Sequence, residues 1–188
     1  MTTEPLYSEQ NESTKRELDE LKKMNFKEYQ LKVIKRQRKY PQKGDVFVIE
    51  PLEGISFWGI VVNNHVCNIN GEDLLVVMIF KEKAPENNIN EWKPDINNLL
   101  IEPSMVGKEY WTKGYFYTVY NIPIENSLDN YGFYCIFEDR YFDEWGKKLR
   151  KEPKIVGTFG VSTISGIAYK INVELIIEKQ LMENRFTN

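Results

Sequence analysis

The sequence predicts an α+β domain: a mainly antiparallel, strongly curved sheet or partial barrel, with an N-terminal helical arm and a C-terminal helix. Three observations predict it. Residues 43–62 read KGDVFVIEPLEGISFWGIVV, two runs of strand formers around a turn. Further short runs rich in Val, Ile, Phe and Tyr follow, and apolar residues at helical spacing occur at both ends of the chain. A chain of 188 residues suits one domain with a sizeable core and is short for two. Residues 40–188 are therefore expected to form a single domain, preceded by a basic helical arm at 13–39 and a polar, disordered segment at 1–12.

In the arm, Thr14 followed by Glu17 has the spacing expected of a capping box, and Leu18, Leu21 and Met24 repeat at helical spacing. Asn25 and Glu28 repeat the start signal ahead of Phe26, Tyr29 and Val33 or Ile34, so two short helices or one bent helix should end before Pro41. In the hairpin, Glu50-Pro51-Leu52-Glu53 suits a type I turn, with Gly54 where a left-handed residue is wanted. Val46, Phe47, Val48 and Ile49 face Phe57, Trp58, Ile60, Val61 and Val62, so apolar residues fall on both parities and both sheet faces must be covered. Asn70-Gly71 closes a second turn, and residues 74–80, LLVVMIF, read as a central strand. Residues 81–98, with Pro85, Pro94 and five Asn, read as a loop or a loop with one helical turn. Strands are expected at 99–102, 114–120, 131–138 and 154–159. The last helix should span 168–182, with Ile171, Leu175, Ile176, Leu181 and Met182 as its apolar positions.

Charge and cysteine usage narrow the function classes. Cys67 and Cys135 lie far apart and form no disulfide framework, which suits two buried thiols in a reducing compartment. No apolar run approaches membrane-spanning length and no secretory signal is visible, so the expected location is the cytoplasm. The net charge of −3 hides an asymmetry: residues 14–43 carry eleven basic against four acidic residues, and residues 44–188 fourteen against twenty-one. A basic arm beside an acidic body is compatible with nucleic acid. Only Phe26, Tyr29 and Tyr40 interleave with the cations, however, too few for a stacking platform, so a solvated helical face is preferred and no nucleic-acid partner is expected.

Candidate chemistry is sparse. Any Ser-His-Asp or Cys-His mechanism must use His65, the single histidine, with Cys67 two residues on or Cys135 brought in by folding. Zinc would draw on His65, Cys67 and Cys135 without any of the usual ligand spacings, so neither metal nor cofactor is expected. Gly157, Gly160 and Gly166 precede the last helix without a Walker Lys or a dinucleotide spacing and are expected to be turn glycines. Residues 138–145 place four carboxylates among three aromatics. A carboxylate pair there would suit a glycosidase. The same segment would also suit an acidic and aromatic binding surface made by Glu138, Asp139, Tyr141, Asp143, Glu144 and Trp145. A solvated loop with inward aromatics is preferred over the binding surface, and the binding surface over catalysis.

The pattern Lys43-Gly44-Asp45-Val46-Phe47-x-Ile49, a turn with Gly54, then aromatic residues and Gly59-x-Val61 resembles the Immunity protein 26 family of bacterial polymorphic toxin systems. The residue after the second glycine is associated with Arg in that family and is Ile60 here. The resemblance implies a small cytoplasmic protein that binds and neutralises a cognate toxin C-terminal domain without catalysis, as in contact-dependent inhibition. A basic nuclease is one toxin class that would suit the acidic body. The alternative it brings is a phosphotriesterase-type hydrolase using His65 or the acidic cluster, for which one histidine without a ligand pattern is poor support. The motif itself reads as scaffold, so function is expected on loops such as 81–98 and 138–145.

Overall fold

The computed structural model describes residues 7–84, 92–124, 128 and 130–185, the last six of these as backbone only. Strands β1 (Asp45–Leu52), β2 (Ile55–Asn68), β3 (Gly71–Lys83), β4 (Leu99–Val106) and β5 (Tyr117–Asn121) form one antiparallel sheet in the order β4-β3-β2-β1-β5. β4 and β5 are its two edges, so it is not closed. A second sheet, β7-β6-β8, comprises β6 (Tyr131–Cys135), β7 (Arg140–Phe142) and β8 (Ile155–Thr158), with β8 parallel to β6. Helices α1 (Glu12–Lys23) and α3 (Ile164–Arg185) lie at the two ends of the chain, with the single turn α2 (Glu109–Thr112) between β4 and β5. This is the predicted α+β class.

Both faces of the large sheet are covered, as the double parity of β1 and β2 requires. On one face Phe47, Ile49, Phe57, Val61, Leu75 and Ile79 meet Ile167, Ala168 and Ile171 of α3, with Tyr110 and Trp111 of α2. On the other, Val46, Trp58, Ile60, Val62, Met78 and Phe80 meet Phe133 of the small sheet, Leu128 and Trp92. Ile60 has no exposure, so the residue after Gly59 is core.

The Gly-Asp-Val-Phe and Gly-x-Val segments are scaffold for identifiable reasons. Phe47 pairs with Gly59 across β1 and β2, and its ring lies over that glycine: a Cβ on Gly59 would stand 2.3 Å from Phe47 Cζ. The same ring stacks on Phe116 at 4.5 Å and meets Trp111 edge-on at 5.3 Å. Gly44 has φ +88° and would place a Cβ 2.1 Å from the Ile122 carbonyl oxygen. Its N–H donates to Val61 and its carbonyl accepts from Ile122, so it links β1 to both neighbours. Buried Asp45 accepts from the Gln42 N–H at 2.9 Å and from Asn121 Nδ2 at 2.8 Å, fixing the start of β1 to the end of β5.

Several sequence expectations need correction. The hairpin turn lies two residues later than 50–53: β1 runs to Leu52, which pairs with Ile55, and Pro51 sits in a bulge that needs no N–H from it. The Gly54 N–H donates to Glu50 Oε1 at 2.9 Å, and Gly54 is left-handed as expected.

The second helix expected across 25–40 is absent. Asn25 and Glu28 do exchange capping hydrogen bonds, but the turn does not propagate. Beyond it, Lys32, Ile34 and Gln37 donate their N–H groups to Glu50, Gly114 and Trp111, so the segment becomes an extended strap whose donors are satisfied by the body. The Gln37 side chain both donates to Thr118 O (2.9 Å) and accepts from Thr118 N (2.7 Å), occupying the edge of β5. Ahead of α1, the Tyr7 hydroxyl donates to Asp19 at 2.9 Å. The strand expected at 131–138 stops at Cys135. The thiols are not buried: Cys67 is exposed because Val66 takes the inward position beside it, and Cys135 is partly exposed at the strand end.

Candidate functional site

Residues 138–145 follow a hairpin tip. Cys135 pairs with Arg140, leaving a four-residue loop, 136–139, closed by Asp139 at φ +51°. The Tyr134 hydroxyl donates to the Asp139 carboxylate, a hydrogen bond that also raises the Tyr134 pKa. This geometry turns Ile136 and Phe137 outward; Phe137 is 96% exposed and Ile136 64%. Glu138 pairs with Lys148 at 2.9 Å.

The other segment residues divide by what their side chains hold. Asp143 Oδ1 accepts from the N–H groups of Trp145 (3.0 Å) and Lys147 (2.8 Å), stabilising a turn completed by Gly146 at φ +81°. Glu144 points inward: its Oε1 accepts from Asn63 Nδ2 and Tyr131 OH, both at 2.8 Å, and its carbonyl accepts from Asn68 Nδ2 at 2.7 Å. It thereby joins β2 of the large sheet to β6 of the small one. Tyr141 is half-buried, with its pKa raised chiefly by a hydrogen bond to Glu152. Trp145 is 49% exposed.

Of the six residues named from sequence, Glu138, Asp139 and Trp145 face solvent, Tyr141 is half-buried, and Asp143 and Glu144 hold the turn and join the two sheets. Asp143→Lys or Glu144→Lys is therefore expected to lose about 2 kcal/mol of stability through stranded donors, read as a lower urea midpoint. The exposed apolar pair Ile136 and Phe137 escaped the sequence reading, which placed both inside a strand. Their signal was the turn-forming run Glu138-Asp139-Arg140 directly after them. The segment is also less acidic than it reads in isolation: residues 138–154 hold five acidic and six basic residues.

His65 stands elsewhere, on the long β2–β3 ribbon. It is left-handed (φ +53°), as is Asp73 opposite (φ +56°), in a stretch of bulged pairing. His65 Nδ1 lies 2.7 Å from Asp73 Oδ1, and Tyr40 stacks on the imidazole at 4.5 Å and 11°. Hydrogen bonding from Tyr40, then His65, holds Asp73 below the usual carboxylate range, while burial pushes Tyr40 up to about 12. A His-Asp pair of this kind orients an imidazole for proton transfer. Among the described residues no bond joins it to Cys67, and no group of three or more His, Cys, Asp and Glu is placed to hold a metal ion. Part of the 81–98 loop lies outside the described residues. Trp92, within it, is buried against Trp58 and Phe80, and its Nε1 donates to Glu82 at 2.8 Å.

The scaffolding hairpin, the two covered faces and the outward-turned tip define a two-sheet scaffold that displays loops. The chain belongs to the Immunity protein 26 family, whose model matches residues 42–145. Membership supports an immunity-protein role and implies a cognate toxin as partner. The match covers the large sheet, α2 and the tip hairpin, and leaves out α1, β8 and α3. No curated protein and no solved structure matches the chain. None of its helices, among the described residues, is long and apolar enough to cross a membrane.

Proposed function

We propose that this protein acts in the cytoplasm as the immunity component of a polymorphic toxin system, binding the C-terminal domain of its toxin without catalysis. The β6–β7 tip would be the anchor. The observation that carries the reading is Phe137, an aromatic side chain 96% exposed on a four-residue loop, beside Ile136 and flanked by Glu138 and Asp139. An aromatic on a braced loop can fill a partner's pocket at little ordering cost, and a charged rim suits such an anchor. The net charge of −3 would favour encounter with a basic toxin, although the charges nearest the tip are mixed.

Co-expression with the toxin domain encoded beside its gene should restore growth, and the purified pair should co-elute. Growth arrest despite stable expression of both would overturn the proposal. The oriented imidazole of the His65–Asp73 pair keeps a hydrolase as the second reading. His65→Ala is expected to leave neutralisation intact within a factor of about two, whereas loss of rescue by a folded His65→Ala protein would favour chemistry at that residue.

A further inference from the structure

A cavity of about 550 Å³ lies under the N-terminal helix, between α1, α3 and the strands β4 and β8. Its walls are largely apolar, with Leu18 from α1, Ile101 from β4, Val156 from β8, and Tyr169, Val173 and Ile177 from α3. The volume is that of a small-ligand site, and most of the wall lies outside residues 42–145.

The charges around it are almost fully matched. Lys170 pairs with Glu102 in a close contact, Lys81 with Glu178 at 2.6 Å, and Lys22 with Asp19 at 3.6 Å while lying over the Tyr7 ring. Glu174 is the remainder. It lines the cavity and makes no hydrogen bond or ion pair among the described residues. Burial raises its pKa, Glu102 and Glu178 add to the rise, and Lys81 opposes it. A half-buried carboxylate between two completed ion pairs, facing apolar walls, is complementary to one positive charge on an apolar body.

We propose that this cavity binds a small organic cation, its apolar part enclosed by Leu18, Ile101 and Val173 and its protonated amine received by Glu174. This is independent of toxin binding at the β6–β7 tip. The test titrates the full chain with phenethylamine, 2-phenylethanol and 3-phenylpropionate by calorimetry and by amide shifts. Phenethylamine should bind saturably, with shifts at residues 156–158 and 169–177, and 3-phenylpropionate should not. Glu174→Gln should weaken phenethylamine about tenfold or more and leave the weaker 2-phenylethanol unchanged. Val173→Trp, which fills the space, should abolish both.

Glu174→Gln also reports its own folding. A raised carboxyl pKa means that stability present below the unfolded value is lost as pH rises through the folded one. The variant should therefore match wild type in Tm at low pH and exceed it at neutral pH. Absence of saturable phenethylamine binding, equal affinity in folded Glu174→Gln, or shifts confined to another surface would each overturn the proposal.

Discussion

Gly59→Ala is expected to destabilise the fold by about 2 to 3 kcal/mol, although it adds one methyl group to a β-strand. The new Cβ would stand 2.3 to 2.4 Å from two atoms of the Phe47 ring. That ring cannot step aside, because Phe116 stacks on it at 4.5 Å, Trp111 meets it at 5.3 Å, and all three side chains are buried. The collision therefore moves backbone, or drives Phe47 off its rotamer. Urea unfolding of Gly59→Ala, Phe47→Leu and the double variant separates this cause from a general intolerance of the strand. Leucine at 47 vacates the space over residue 59, so Gly59→Ala in that background should cost less than about 1 kcal/mol. Additive losses in the double variant would mean that the Phe47 ring is not what requires glycine there.

The same pair shows why this part of the fold was legible in the sequence. Strand formers on both parities, a turn glycine and a glycine in the returning strand are local signals, and the structure places both faces of β1 and β2 in core. The boundaries were less legible wherever a distant partner decided them. Asn25 and Glu28 do make the capping contacts that their spacing suggests, yet the chain beyond is drawn out by carbonyls of Glu50, Trp111 and Gly114. Those acceptors are far away in sequence, so no window around residue 28 contains them.

The candidate site divides in the same way. Asp143 looked like part of an acidic surface because its role as a turn cap depends only on how residues 145–147 fold back. Glu144 looked exposed because Asn63, Asn68 and Tyr131, which hold it, come from two other strands. Ile136 and Phe137 look like strand core by composition. The left-handed Asp139 and the Cys135–Arg140 pairing turn them into a loop tip instead.

That inversion leads to the largest effect expected on partner binding. Phe137→Ala should leave the urea midpoint within about 0.5 kcal/mol of wild type, since the side chain is 96% exposed and contributes almost nothing to the core. If the tip is the toxin anchor, the same change should weaken the complex by about 2 kcal/mol or more, the scale of an aromatic that fills a partner pocket. Glu138→Lys should act differently. Its carboxylate is paired with Lys148 at 2.9 Å and lies at the rim, so reversal should alter the association rate and its salt dependence more than the dissociation rate. Measuring association and dissociation rates for both variants therefore tests anchor and rim separately. A Phe137→Ala complex that dissociates no faster than wild type would remove the β6–β7 tip from the interface, while a Glu138→Lys complex with an unchanged association rate would leave encounter to charges elsewhere on the body.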